Sequence, residues 1–333
     1  MRVTFGESTA ADLLVSLAAV ADPVWRSTFA SGAADTQLAE AQLTRGYVRK
    51  AVAFGRFGFL NLLGVLPETP VPHRIEDLIH WVRATPARDV QLACVGARRQ
   101  QLLDLVAEPD VSDQEGRRAV RKALASEETV IAATRWLLAT SAHSVQIELI
   151  VLLELWQRAR YPSTVEGDLR SALLVEVGQR PKESRGRSAV DAIRAVAGGL
   201  IYDPPDVASV LLLPAPSARP IVVVVDDVHG HVIAYPPPLP ADPRTTLLEL
   251  TAAIGDDTRL TILELLIREG HRNAADLAAA VGAPRTTLLH HLALLRAAGL
   301  LVTHVGERNT TYYGIRSGSV AELVAAAKAV LEP

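Results

Sequence analysis

Near the C-terminus the run Arg285-Thr-Thr-Leu-Leu-His-His-Leu292 sets guanidinium, hydroxyl and imidazole groups at a spacing that a helix converts into one face. At 3.6 residues per turn, Leu288, Leu292 and Leu295 share one side, while Thr286 and His290 lie a turn apart on the other, flanked by Thr287, Leu289 and Ala293. Hydroxyls and imidazoles can bond base edges in a DNA major groove, and a Leu or Ala can contact a thymine methyl. Over residues 271–316 five arginines (272, 285, 296, 308 and 316) oppose Asp276 and Glu307, in a chain whose formal net charge is −3. Positive charge is thus concentrated where a polyanion would lie. Arg308 and Asn309 fall in a turn between two strand-like runs, from which the Arg308 guanidinium can reach a phosphate or the minor groove. The candidate DNA-binding residues are Arg285, Thr286, Thr287, Leu289, His290, Arg296, Arg308 and Asn309.

Other chemistry is sparser. His290 and His291 are adjacent, so on a helix they point about 100° apart and do not converge on a metal. Asp226, Asp227, His229 and His231 are rich in ligand-type atoms, but they flank Gly230 between two β-like runs, where such residues supply turn chemistry. No metal site and no cofactor are expected. Cys94 is the single cysteine, without a resolving partner, and reads as a small buried hydrophobe. The motifs of a nucleophile elbow, a phosphate loop, a dinucleotide fold or a zinc protease are absent, so no catalytic residue is expected. Trp25, Phe29, Tyr47, Phe54, Phe57, Phe59, Trp81, Trp136 and Trp156 form the core of the first part or line an effector pocket within it.

Elements that would hold these groups follow from pattern. The length, 333 residues, suggests about two domains, and 49% hydrophobic with 21% charged residues excludes wholesale disorder. The greasiest segment, Ile147 to Trp156, contains Glu148 and Glu154, and the N-terminus has no secretory pattern, so a cytoplasmic protein without a membrane span is expected. Tyr235-Pro-Pro-Pro-Leu-Pro-Ala-Asp-Pro243 can continue neither a helix nor a central strand. We place the linker at 239–244, between a first domain of 1–238, helical to about 198 and β-rich over 200–235, and a second of 245–333.

The first domain opens with a strand, Arg2 to Phe5, and a helix beginning near Ser8. Segments near 36–62, 75–85, 88–107, 127–141, 144–160 and 164–179 favour helix, and Ser112-Asp-Gln-Glu115 reads as a capping box. From Leu200 the pattern turns to short β runs, Val207 to Leu213, Ile221 to Val225 and Val232 to Tyr235, which predict a small sheet that the N-terminal strand completes. In the second domain, Asp256 caps a helix ending at Gly270, and Asn273 caps another through Val281. The helix carrying Thr286 to Ala298 follows. Leu300 to Val305 and Thr310 to Ile315 then make a hairpin.

This C-terminal part resembles the winged helix-turn-helix of ArsR-family transcriptional regulators. The resemblance rests on Gly255-Asp-Asp-Thr-Arg-Leu260, Asp276-Leu-Ala278, Thr286-Thr-Leu-Leu-His-His-Leu292 and Leu295-Arg-Ala-Ala-Gly-Leu300. More loosely, the first part is similar to the long N-terminal region of a subgroup of such regulators. Short members of the family sense metals through a Cys pair in the second helix or Asp and His in the last. Here those helices read Ala275-Asp-Leu-Ala-Ala-Ala280 and Val320 to Leu331, without either ligand set.

The fold class expected is therefore α+β and mostly α, a helix-rich N-terminal domain with a small sheet followed by a winged helix-turn-helix. The resemblance implies a DNA-binding regulator rather than an enzyme, by default a repressor, working as a homodimer on an inverted repeat of double-stranded DNA. A small-molecule effector or a partner would act at the first domain. The alternative is an interaction or scaffolding module whose winged helix holds nucleic acid weakly. Leu247, Leu248 and Leu250, with Leu323, Val324, Val330 and Leu331, are the apolar candidates for a two-fold interface.

Overall fold

The computed structural model describes the chain except residues 23–24, 27–31, 68–73, 98, 107–110, 112–113, 126–131, 185, 198–199, 204–206, 220, 228–229, 238–242, 306–309, 317 and 333. It is α+β and mostly helical, as expected. The first part runs β1 (Arg2–Phe5), α1 (Thr9–Ala21), α2 (Gly32–Gln42), α3 (Arg45–Phe54), α4 (Arg56–Asn61), α5 (Ile75–Ala84), α6 (Ala87–Val95), α7 (Arg99–Val106), α8 (Gln114–Ala125) and α9 (Ala132–Leu138). It continues through α10 (Ala142–Arg160), α11 (Ser163–Glu183), α12 (Ala189–Val196), β2 (Ile201–Tyr202), β3 (Ser209–Pro214), β4 (Val223–Asp227) and β5 (Gly230–Tyr235).

Helix α1 is the axis of this part. All of its residues are buried, as an all-round apolar helix must be, and Ser8 caps it by accepting the Ala11 N–H at 3.1 Å. Its three buried polar side chains are answered from distant segments, Thr9 by donating its hydroxyl to Glu166 Oε1 at 2.7 Å. Asp12 accepts the Ser217 N–H (2.7 Å), the Tyr161 hydroxyl (2.9 Å) and the Ser217 hydroxyl (3.0 Å). The Ser16 hydroxyl accepts from Trp156 Nε1 at 2.8 Å and lies 3.0 Å from the Tyr161 hydroxyl. Desolvation raises the Asp12 pKa above the usual carboxylate value.

The first sheet has the order β1-β3-β5-β4, with β1, β3 and β5 parallel and β4 antiparallel at the edge. It is covered on both faces, which is why its strands are nearly continuous apolar runs. Alternation along the strands sends Leu213, Val223, Val225, Val232 and Ala234 into the α1 core. Val210, Leu212, Ile233 and Tyr235 point the other way, against Ile193 and Val196 of α12. That helix falls within the part read as helical to about 198, although no separate segment was read for it.

The stretch read as helix over 36–62 is three helices. Thr44 has φ 132° and Gly55 φ 79°, left-handed values that interrupt the ladder. Gly96, φ 80°, likewise ends α6 within the stretch read as 88–107. The capping residues Ser112 and Asp113 lie outside the described residues, and α8 begins immediately after them. Tyr47, Phe54, Phe59 and Trp156 are core, whereas Phe57 is exposed beneath the Arg56 guanidinium, 4.6 Å from its ring centroid. Trp25, Trp81 and Trp136 pack at the margin of the same core, and Phe29 is outside the described residues. Cys94 is free and buried, and burial pushes its thiol well up.

The second part comprises α13 (Pro243–Ile254), α14 (Asp257–Glu269), β6 (Arg272–Asn273), α15 (Ala274–Val281), α16 (Arg285–Ala297), β7 (Leu301–Val305), β8 (Thr311–Ile315) and α17 (Ser319–Leu331). Leu250, Ile262, Leu266, Leu277, Leu288, Leu292 and Leu295 close one core with Leu301 and Tyr313. Its sheet has the order β2-β7-β8-β6, so a strand from the first part extends the wing. The pairing is parallel, with Ile201 opposite His304 and Tyr202 opposite Val305. Among the described residues, no helix is long and apolar enough to cross a membrane.

Candidate nucleic-acid interface

The local signals that build the helix-turn-helix act as the sequence implies. Asp256 caps α14 by accepting the Arg259 N–H at 3.0 Å, and Gly270, φ 75°, ends it. Asn273 Oδ1 accepts the N–H groups of Ala275 and Asp276 at 2.8 and 2.9 Å, and Gly282 closes α15 in the left-handed region. Pro284 immediately precedes α16, where its missing N–H costs nothing. The turn between α15 and α16 is therefore set by residues on the spot.

Helix α16 is held by one face and open on the other. Leu288, Leu292 and Leu295 are almost wholly buried. Losing any one of them to Ala would cost about 2–5 kcal/mol. Arg285, Thr286, Thr287 and Leu289 are exposed and His290 is half-buried, so these five are gathered along the first turn and a half of the helix. Their polar atoms meet solvent rather than the protein core.

His291 turns away from this group. Its Nδ1 lies 3.7 Å from Asp256 Oδ1, at the N-terminus of α14, and its ring centroid is 6.1 Å from that of His290. The Asp256 carboxyl is held below its usual range, first by the Arg259 backbone N–H. Arg296 is also set apart, ten residues beyond Thr286. Half-buried at the C-terminal end of α16, it lines a cavity shared with the first part of the chain rather than the open face. Arg308 and Asn309 lie outside the described residues, although the strands that carry their turn, β7 and β8, pair in register from Leu301 opposite Ile315 to Val305 opposite Thr311.

His229 lies outside the described residues, but Asp226, Asp227 and His231 stand on the paired antiparallel strands β4 and β5. Asp226 pairs with His231 in the β4–β5 ladder, and His231 Nε2 lies 3.4 Å from Asp226 Oδ1. The other imidazole nitrogen, Nδ1, is hydrogen-bonded to the Tyr202 hydroxyl. Among the described residues, no group of three His, Cys, Asp or Glu side chains could hold a metal ion. Tyr202 therefore joins the two sheets, through its side chain to the first and through its backbone to the wing. Nothing in the spacing of Leu200-Ile-Tyr202 distinguishes such a strand from the β runs that follow it. Its partner lies about a hundred residues further along the chain.

No curated protein and no solved structure matches the chain. Residues 256–302, from the cap of α14 to the second residue of β7, match the model of the bacterial regulatory protein arsR family. The C-terminal part of the chain is an ArsR-family helix-turn-helix domain, the domain of a DNA-binding transcriptional regulator.

Proposed function

We propose that this protein is a transcriptional repressor that binds an inverted-repeat operator as a homodimer and responds to a ligand or partner through its N-terminal part. The observation that carries the reading is the open face of α16. Arg285, Thr286, Thr287, Leu289 and His290 are displayed over a buried leucine face, within the segment that matches the arsR family. Thr286, Thr287 and His290 read base edges, Leu289 contacts a thymine methyl, and Arg285 meets phosphate. Arg308 and Asn309, at the wing turn, follow the backbone or the minor groove. Residues 1–238 form the sensing part and 245–333 the DNA-binding part, joined by the Pro-rich stretch at 239–244.

One winged helix offers a small contact area, so selective binding calls for two. Helices α13 and α17 pack on each other, which buries Leu250, and Leu323 packs against the same core. Leu248, Val320, Val324 and Leu331 remain exposed on these two helices. Pairing through that apolar face would set the recognition helices about 34 Å apart, one turn of DNA. Repression then follows from occupying a promoter, and relief follows from a dimer geometry that no longer matches the half-sites.

The reading is tested by sequencing the genomic DNA that the protein retains and titrating the recovered site against random duplex over a range of salt. The expected result is an inverted repeat bound ~10³-fold or more above random DNA, with affinity falling steeply as salt rises. Equal, weak binding to both duplexes would instead mark an interaction module.

A further inference from the structure

Between the two parts of the chain lies a cavity of about 360 Å³. Arginines reach its wall from both sides: Arg180 of α11 and Arg219 from the first part, Arg296 of α16 and Arg316 beyond β8 from the second. Three of the four have acceptors within the fold. Arg180 Nε is 2.7 Å from Glu176 Oε1, Arg219 donates to the Pro237 carbonyl at 2.6 Å, and Arg316 pairs with Glu322 and the Gly299 carbonyl.

Arg296 differs. Burial disfavours its charge, and among the described residues it has no hydrogen-bond or ion-pair acceptor. Thr303 of β7 lines the same wall and is only 5% exposed. A guanidinium with no ion-pair partner among the described residues, beside a hydroxyl on the same wall, can donate to an acceptor that enters the cavity. Apart from Glu322, the remaining wall, including Val196, Val222 and Leu301, is apolar in its side chains. Four guanidinium groups against two carboxylates leave the site cationic, which excludes a cationic ligand and favours an anion.

We propose that this cavity binds a small organic anion, a carboxylate or phosphate on a compact apolar body, with Arg296 and Thr303 as its principal hydrogen-bond donors. The inference rests on the regulatory reading above and supplies its effector site. Position gives the consequence. The ligand would touch the end of α16, the first strand of the wing and α12 at once, on one flank of the β2–β7 pairing. Occupancy therefore biases how the wing and the recognition helix sit against the N-terminal part, and hence the fit of paired recognition helices to DNA.

The test is calorimetric titration of the full-length protein, without DNA, with benzoate and with inorganic phosphate as probes. Saturable binding of at least one probe at one site per chain is expected, weakened 10-fold or more in both Arg296→Met and Thr303→Val and unchanged in Arg158→Ala, a variant of an exposed arginine remote from the cavity lining. Thr303→Val is nearly isosteric, so it serves where Arg296→Met perturbs folding, which thermal melts of both variants would reveal. Absence of saturable binding, or binding that both variants retain, overturns the site. Operator titration with the bound probe separates the two proposals. A changed DNA affinity supports the coupling, whereas an unchanged one removes the regulatory role and leaves the anion site standing.

Discussion

Helices α1 and α16 each carry an apolar face and a few hydrogen-bonding side chains, yet they use those side chains in opposite ways. On α1 the polar atoms of Asp12 and Ser16 are sealed in the core and matched by Tyr161, Trp156 and Ser217, drawn from segments far along the chain. On α16 Thr286, Thr287 and His290 are turned outward. A matched buried network strengthens the packing around it, whereas displayed donors and acceptors contribute little to the fold and are free to bind something else. Residue type is therefore a poor guide to role. What separates a staple from a recognition surface is whether the protein answers its own polar groups.

The largest effect should come from breaking the staple. Asp12→Ala leaves the Ser217 N–H, the Ser217 hydroxyl and the Tyr161 hydroxyl without their buried acceptor, and should cost about 4 kcal/mol of stability. Urea unfolding measures it. A loss below about 1 kcal/mol would mean that water or another group takes over the acceptor's place.

His290→Ala probes the opposite case. Operator binding should weaken by about 1–3 kcal/mol while the melting curve stays unchanged, because the side chain lies on the open face. A fall in melting temperature with operator affinity intact would reverse the contrast between the two helices.

The wing should give a smaller and less selective effect. Arg308→Ala is expected to weaken operator and random duplex about equally and to lower the salt slope by about 1. Loss confined to one operator base pair would assign Arg308 to base readout instead.

The subtlest measurement concerns protons. Because burial raises the Asp12 pKa, the folded chain holds a proton that the unfolded chain has released, over the pH range between the ordinary carboxylate value and the raised one. This contribution to stability is greatest below that range and declines as pH rises through it. Asp12→Asn should flatten the decline in unfolding curves taken across those pH values, and a slope that persists unaltered would point to another group.

Much of the interface could be read from residues close together in the chain. Asp256, Asn273, Gly270 and Gly282 begin and end helices by contacts within a few residues, so the helix-turn-helix was legible from caps and period. The leucine face of α16 was legible for the same reason. The bounds of helix α12 were not, within the part read as helical to about 198, because the eight residues after its Ser188 cap offer only two turns of periodicity to read. Thr44, at φ 132°, likewise broke a stretch that looked continuously helical, since a β-branched residue carries no sign of a left-handed backbone.

The sequence by itself determined the class of the molecule, the helices of its C-terminal part and which groups α16 displays, because propensity, capping and amphipathic period are short-range. Only the tertiary structure decided that Asp12 would be answered from Ser217, that Ile201–Tyr202 would extend the wing, and that Arg296 would look into a shared cavity rather than along the open face. Each of these joins groups about a hundred or more residues apart. Strand edges and buried acceptors are satisfied by whichever segment the packed core brings near, and no local pattern encodes which one arrives.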